Sequence, residues 1–532
     1  MTEYGKTVGE PAVADGPDDR VGMKRTDRLA GRGKGLLLVL ALIVAAVVRL
    51  VGIGQQSFSI DEIHELRIAH AGLTDILTFD DGFPPLYDLL FHLFVPLGDL
   101  AGRVLSAVFG VATVGVAWAW ARRAAGARAG LVAAWFVALA PMCVQLSVEG
   151  RAYGLTALLA AASLWTLWIA LEEPAPHAWV RWGIVSALGI YTHYLFAVLI
   201  AAWLVVACIE VRGKISRAMW VGIGTLALLA APAAALLPSD LAVQAHHGTV
   251  LVAGEVLYSG YRLLAGLSLG PSMQDLLASG FIEAIRATWV WIVVLGPPVG
   301  LLLVQGYRAL DVVPRRRLLW MSVLGLVLEL GATAVAGMGF GASYITWLVV
   351  PLAVWLAAGL ARLRSRWRWG TATVLLVVAV YSLVAQNLDP HHQVGDARGV
   401  AAYLESSAAP DQPVLVSGVQ NIRPILYYMD RPLALALPEQ WDPETGRLGY
   451  YPDEGLPLTG IPNLATGEDD LADALQVLDA SAEPGEPYYL VYTQPFYSDR
   501  HGELLATLTA RDGLTLVQEF AGMDVYRGVR AA

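Results

Sequence analysis

Only two cysteines stand in 532 residues, Cys143 and Cys208, and both lie inside apolar runs. That scarcity excludes a disulfide framework and a thiolate metal site as organising features. Charge is also scarce: 15% of residues are Asp, Glu, Lys or Arg, against roughly 25% in soluble chains. Lysine is nearly missing, 4 residues against 32 arginines. With abundant Ala and Gly, this is the composition of a high-GC bacterial genome. No Gly-x-Gly-x-x-Gly loop follows a strand-like run, which excludes a dinucleotide site of that kind, and no internal repeat is visible. The net charge of -10 is uneven. Leu388 to the end carries 22 acidic residues and 8 arginines, a balance of -14, and the remainder is +4. So acidic a tail is ill suited to nucleic acid or anionic lipid.

Long apolar runs are plentiful instead. The chain is 56% hydrophobic with a mean hydropathy of +0.54. A spanning helix needs about 20 apolar residues. Runs of that kind fall near 35–53, 103–121, 129–147, 154–171, 182–192, 194–209, 218–237, 287–306, 318–337, 344–361 and 369–386. The fifth and sixth are short and read as a tight hairpin or tilted helices. The expected fold class is a polytopic α-helical membrane protein of about 11 spans followed by a C-terminal α/β domain. Its expected parts are a cytoplasmic polar N-terminus over 1–34, a transmembrane domain over 35–387 and an extracytoplasmic domain over 388–532. The first run reads as a retained signal anchor, because no small-residue cleavage site follows it.

Basic residues favour the inner side of a membrane. With the N-terminus inside, 22 Lys and Arg fall on inner segments, and five (Arg67, Arg103, Arg151, Arg262 and Arg286) fall on outer ones. The predicted location is a bacterial cytoplasmic membrane, with the tail outside and two long outer loops near 54–102 and 238–286. In the tail, Val414–Ser417, Leu433–Leu437 and Tyr488–Thr493 read as strands. Asp396–Glu405, Asp469–Leu478 and Glu503–Thr509 read as helices, and Glu439–Thr466 as a loop.

Candidate chemistry gathers on the predicted outer face. Ile60 to His70 has no helix breaker and reads as a short helix on the membrane surface. Asp61 and Glu62 diverge by about 100° on such a helix. Asp61, His64 and Glu65 share a face at i, i+3 and i+4. Carboxylates beside a bilayer are costly and tend to be kept for function; the plainer reading is a solvated helix face. Asp80-Asp81-Gly82-Phe83-Pro84-Pro85-Leu86-Tyr87 enters a second surface helix, where Tyr87 and the aspartates line a pocket or form an ordinary helix entry. In Val148-Glu149-Gly150-Arg151-Ala152-Tyr153, Arg151 suits a phosphate and Glu149 suits orienting it; a loop ion pair is the alternative. His193, in Tyr191-Thr192-His193-Tyr194, is a hydrogen-bond partner for phosphate or hydroxyl, or a satisfied histidine among interfacial aromatics. His246-His247 is a weaker pair, and Arg49 reads as snorkelling to the interface.

The order of these pieces resembles a known family. After Val48-Arg49-Leu50-Val51 come VGIGQQSFSIDE, FPPLYDLLFHLF, GRVLSAVFGVATVGVAWAWARR, GARAGLVAAWFVALAP, VEGRAYG and LGIYTHY. This resembles the polyprenyl-phosphate-sugar glycosyltransferases of the GT-C fold, the protein O-mannosyltransferase and aminoarabinose transferase relatives, over roughly residues 36–200. The resemblance implies Asp61 as the catalytic carboxylate with Glu62 its partner. It places Arg151, Glu149 and Tyr153 near a lipid phosphate, and His193 beside the same pocket. Ser59 stands where many relatives have an aromatic residue. Ser343-Tyr344 stands where relatives often have Arg-Tyr, which hands donor-phosphate binding to other residues. The implied donor is a polyprenyl-phosphate sugar. The acceptor, whether glycan, lipid or protein, is open. A lipid phosphate leaves as a stable anion, so one base and a cationic cradle suffice, the cation being arginine or a divalent metal ion. The competing readings are a transporter or lipid flippase, and a non-catalytic assembly partner.

Overall fold

The computed structural model describes residues 17–78, 84–245, 253–271, 281–336, 340–388, 395–409, 412–417, 421–429, 434–435, 482–493 and 501–531, with isolated residues between 471 and 499. Among the described residues, fifteen helices lie between Pro17 and Leu388: α1 (Pro17–Leu50), α2 (Ile60–His70), α3 (Leu73–Thr78), α4 (Leu86–Phe94), α5 (Ala101–Leu139), α6 (Pro141–Val148), α7 (Tyr153–Glu172), α8 (Pro176–Ile190), α9 (Leu195–Glu210), α10 (Arg217–Ala245), α11 (Ala253–Ala265), α12 (Phe281–Ala309), α13 (Val312–Ala336), α14 (Val349–Arg362) and α15 (Ser365–Leu388). A 3₁₀ turn, Tyr344–Leu348, leads into α14. Among the described residues, seven helices are long and apolar enough to cross a membrane, and Leu195–Glu210 and Arg217–Ala233 are shorter apolar helices. The chain is a multi-pass membrane protein. Leu36, Leu40, Ile43 and Val47 of α1 are exposed apolar side chains, as a helix facing lipid requires.

Two local breaks shape the bundle. Gly126, inside α5, has φ 87 and ψ 174, a conformation open to glycine alone. The predicted runs 103–121 and 129–147 therefore meet at a kink inside one long element. Pro141 then stops the helix, because it offers no N–H and forces Ala140 into extended backbone (φ −61, ψ 113). That break orphans carbonyls at membrane depth, where each must find a donor. Arg49 supplies it, donating to Ala138 O at 3.0 Å and Val137 O at 3.4 Å, and to Ala45 O at 3.0 Å. Arg49 is 0% exposed, so it does not snorkel to the interface as its position suggested. It caps a broken helix from within. The first helix also begins earlier than the apolar pattern indicates, at Pro17.

The tail is an α/β unit. Strands β1 (Pro413–Val416), β2 (Ala434–Leu435), β3 (Pro487–Thr493), β4 (Thr515–Phe520) and β5 (Met523–Val529) form one sheet in the order β2-β1-β3-β5-β4. β1 pairs in parallel with β2 and β3; β5 runs antiparallel to β3 and β4. Side chains alternate between two covered faces. Val414, Val416, Tyr489 and Val491 pack with α16 (Ala397–Ser407) and α17 (Ile422–Tyr427). Leu415, Tyr488 and Leu490 pack with Leu504 and Leu508 of α18 (Glu503–Asp512). The predicted strands at 414 and 488 are present, and Leu433–Leu437 is described only at Ala434–Leu435. The β4–β5 hairpin and α17 were not anticipated. Glu439–Thr466 lies outside the described residues.

Ion pairs of the bundle lie at its two ends. At one end Arg103, on the first turn of α5, meets Glu62 of α2. At the other, Arg123 pairs with Glu172 and Glu173 at the far end of α7, and Arg317 pairs with Glu210 at the far end of α9. The tail packs on the first of these ends. Arg398 donates to Gly54 O at 3.3 Å, and Tyr427 is hydrogen-bonded to Asp99.

Candidate active site

The stretch Ser59-Ile60-Asp61-Glu62 is a helix start. Ser59 is the N-cap of α2: its hydroxyl accepts from Glu62 N at 3.2 Å, while the Glu62 carboxylate accepts from Ser59 N at 3.0 Å. This reciprocal capping box is what Ser-x-x-Glu encodes. It folds Glu62 back over the helix start and leaves Asp61 pointing elsewhere. Arg103 then claims Glu62 through two bonds, Nε to Oε1 at 2.7 Å and Nη2 to Oε2 at 2.8 Å. Gly150 N donates to Oε1 at 2.8 Å. The Glu62 carboxylate therefore accepts four hydrogen bonds and is 3% exposed. Arg103 directs its remaining donors to Ile53 O, Gln56 O and Ser57 O, at 2.8 to 3.0 Å. This pair ties α2, α5, the first loop and the Glu149–Tyr153 loop together.

Asp61 is the other kind of carboxylate. Its side chain is 50% exposed, and it forms an ion pair with Arg151 Nη1 at 2.7 Å. Arg151 follows α6 and lies over the Tyr153 ring at 4.7 Å. Its carbonyl accepts from the Ser106 hydroxyl at 3.1 Å. Burial opposes the charge on Arg151, but Tyr153, Asp61, Glu149 and Glu65 outweigh it and raise the guanidinium above its ordinary value. Glu149 is pushed up to about 7, first by burial and then by the charges of Glu62 and Asp61, with Arg151 pulling the other way. Arg262, on α11, stands within electrostatic reach of Glu149 and over the Tyr258 ring at 5.8 Å. A second cation thus stands near Glu149, on α11.

His193 lies in the turn between α8 and α9. Burial, reinforced by the Arg151 charge, lowers it to about 4. It is neutral at pH 7. Leu195 N donates to Nδ1 at 3.3 Å, which places the proton on Nε2. The ring meets Tyr344 edge-on at 5.6 Å. His193 thus offers a neutral imidazole, not a positive charge, beside the Ser343-Tyr344 position that lacks a cation.

Several expected roles change. Tyr87 is 1% exposed, and its hydroxyl donates to Gly102 O at 3.0 Å beside Ser106 Oγ at 3.0 Å. Pro84-Pro85 start α4 so that its first turn faces α5; Tyr87 braces the two helices and lines no open pocket. The three-residue face of α2 also divides. His64 is buried, and Glu65 is hydrogen-bonded to Asp88, which with burial and the Asp88 charge raises Glu65 well above the carboxylate range. Asp61 of that face pairs with Arg151. Nor does α2 lie free on a membrane surface, since Glu62, His64, Leu66 and Ile68 are covered. Asp80, Asp81, His246 and His247 lie outside the described residues. Sequence reasoning missed the roles of Arg103, Asp88 and Arg262. The one signal for the first was an arginine on the opening turn of a long apolar helix.

Among the described residues, no group of three or more His, Cys, Asp or Glu side chains is placed to hold a metal ion. The cations nearest Asp61 and Glu149 are Arg151 and Arg262.

Residues 83–236 match the family model of dolichyl-phosphate-mannose-protein mannosyltransferases. No curated protein sequence matches the chain. Among solved structures, the chain is similar to ArnT from Cupriavidus metallidurans bound to undecaprenyl phosphate. The TM-score is 0.52 and the identity 15%, with 92% of this chain and 97% of that one covered. It is also similar to the Archaeoglobus fulgidus oligosaccharyltransferase in its apo form, at a TM-score of 0.52 and 12% identity, with 92% of this chain and 74% of that one covered. The shared architecture is the GT-C fold.

Proposed function

We propose that this GT-C membrane protein is a glycosyltransferase that moves a sugar from a polyprenyl-phosphate donor to an acceptor hydroxyl at the extracytoplasmic face. The observation that carries the reading is the 2.7 Å pair of Asp61 and Arg151, half open to solvent, at the end of the bundle where Glu149, Arg262 and His193 gather. A base and a phosphate-binding cation are neighbours there. The matched family and the undecaprenyl phosphate bound by ArnT support the donor class.

The chemistry follows from charge. The donor phosphate draws Arg151, and with it Arg262, which releases Asp61 from its ion pair. Asp61 takes the acceptor hydroxyl proton as that oxygen bonds to the anomeric carbon. The bond from that carbon to the phosphate oxygen breaks, and the lipid phosphate leaves with the electron pair, held by the two arginines. One displacement inverts the sugar. Glu62 does not take part in proton transfer; its carboxylate is consumed by Arg103, Gly150 and Ser59. His193 donates Nε2–H to a phosphate or hydroxyl oxygen. A largely apolar groove of about 680 Å³ runs past Leu263, Leu303, Tyr307, Arg308, Leu319 and Leu352, from α11 toward the Arg308 end of α12; its apolar walls suit a polyprenyl chain.

Orientation belongs to the same reading. Arg123 and Arg317, assigned inside by the charge rule, lie at the end opposite Arg103 and Arg151. The tail, packed on the site end, is accordingly extracytoplasmic. Incubating purified protein with a panel of labelled polyprenyl-phosphate sugars tests the proposal. Sugar release or transfer from at least one donor, lost in Arg151→Ala, is expected. Inertness toward every donor would remove the reading.

A further inference from the structure

The residues just ahead of the capping box are gripped by the tail. Phe58 N donates to the Tyr428 hydroxyl at 2.8 Å. The Phe58 ring stacks on Tyr428 (6.4 Å, 4°), meets Tyr427 edge-on (5.5 Å, 84°) and packs against the Arg103 guanidinium at 4.4 Å. The Ser57 hydroxyl donates to Asp396 Oδ1 at 3.3 Å and accepts from Arg398 N at 3.1 Å. Asp396 is itself the N-cap of α16, where Oδ1 accepts from Gly399 N at 3.0 Å. Arg398 lies over the Tyr428 ring at 5.0 Å and donates to Gly54 O at 3.3 Å. These contacts fall on backbone and side chains of residues 54–58, which end three residues before Asp61. The same segment is held from the membrane side by Arg103 through Ile53, Gln56 and Ser57. Phe58 is thus a rivet between the two domains, with Arg103 on one side and the tail aromatics on the other.

We propose that Tyr428, with Asp396 and Arg398, is a positioning residue for glycosyl transfer: the C-terminal domain fixes Ser57-Phe58, from which Ser59 caps α2, and so fixes the bearing of Asp61 on Arg151. The proposal rests on Asp61 being the base. Mere docking would need contact anywhere on the bundle end. The contact observed instead takes the backbone donor of Phe58 and the hydroxyl of Ser57, at the entry of the helix that carries Asp61. A helix start misplaced by about 1 Å is enough to slow a positioned reaction severely.

The test uses the full chain in lipid nanodiscs. Tyr428→Phe keeps the stacked ring and removes the oxygen that Phe58 N donates to. Tyr489→Phe is the control, because it deletes a tyrosine hydrogen bond inside the tail, to Ser407 O. Amide hydrogen exchange is read over residues 57–66, and kcat and donor KM are read separately. Tyr428→Phe is expected to speed exchange at the start of α2 and lower kcat roughly tenfold, with donor KM within about twofold of wild type. Tyr489→Phe leaves all three unchanged. Wild-type exchange in Tyr428→Phe, wild-type kcat despite faster exchange, or equal effects of the two variants would each overturn the positioning role. The exchange arm needs no sugar donor. Absence of transfer by the unmutated chain therefore counts against the transferase reading, and unaltered exchange counts against this one.

Discussion

Replacing Glu62 by glutamine separates two adjacent carboxylates that look alike in the sequence. The isosteric amide keeps one carbonyl oxygen and turns the other acceptor into an N–H donor. If the oxygen stays at Oε1, Arg103 Nε and Gly150 N are still served, but the amide nitrogen faces Arg103 Nη2 and Ser59 N, both donors. The opposite flip sets it against Arg103 Nε and Gly150 N. Either way Arg103, 4% exposed, keeps a positive charge with no counter-ion. Removing one partner of a buried pair costs about 3–5 kcal/mol. For a chain of 532 residues that corresponds to a Tm lower by roughly 3–5 °C. Asp61→Asn removes a half-exposed pair worth about 1 kcal/mol or less, so its Tm stays within about 2 °C of wild type. Thermal unfolding of the three proteins in one detergent, followed by tryptophan fluorescence, makes the comparison. A Glu62→Gln protein as stable as wild type would refute the assignment of Glu62 to structure.

Three further outcomes are expected. Glu149 is raised to about 7, so below that pH it is neutral and the pocket is more positive, whereas above it the added negative charge opposes an anionic donor. A phosphodiester keeps its single charge across this range, so donor KM rises as pH passes upward through about 7. In Glu149→Gln the rise disappears, and a flat wild-type profile would contradict the electrostatics. Arg151→Lys keeps the charge but loses the planar fork over Tyr153; donor KM rises about tenfold, or about 1.4 kcal/mol of binding, and an unchanged KM would place the phosphate elsewhere. A reporter active only outside the cell, fused to the C-terminus, gives signal, and silence there would reverse the orientation.

Much of the architecture was legible because a membrane imposes it. The apolar runs predicted to span fall largely in helix, since backbone groups in lipid must be satisfied within the segment. The helix Ile60–His70 was legible from an unbroken run, down to its ends. What could not be read was set by residues far apart. Asp61 and Glu62 differ through Arg103, 41 positions away from Glu62. Arg49 is buried because Pro141 breaks a helix whose carbonyls at 137 and 138 then need a donor. Tyr87 turned inward because Gly102 leaves its carbonyl within reach. In the tail, β4 is an edge strand with mostly exposed side chains, so it lacks the alternation that marks a strand in sequence. The Arg151 loop was found, and its partner Arg262 was not, because nothing local ties a residue on α11 to Glu149.

The most direct measurement is turnover by the Asp61→Asn variant beside its donor binding, on protein of matched fold. The account predicts donor affinity at or above wild type, because Arg151 is freed of its ion pair, and a rate lower by at least about a hundredfold, the usual span for loss of a positioned base. Turnover by Asp61→Asn equal to that of the unmutated chain would contradict it.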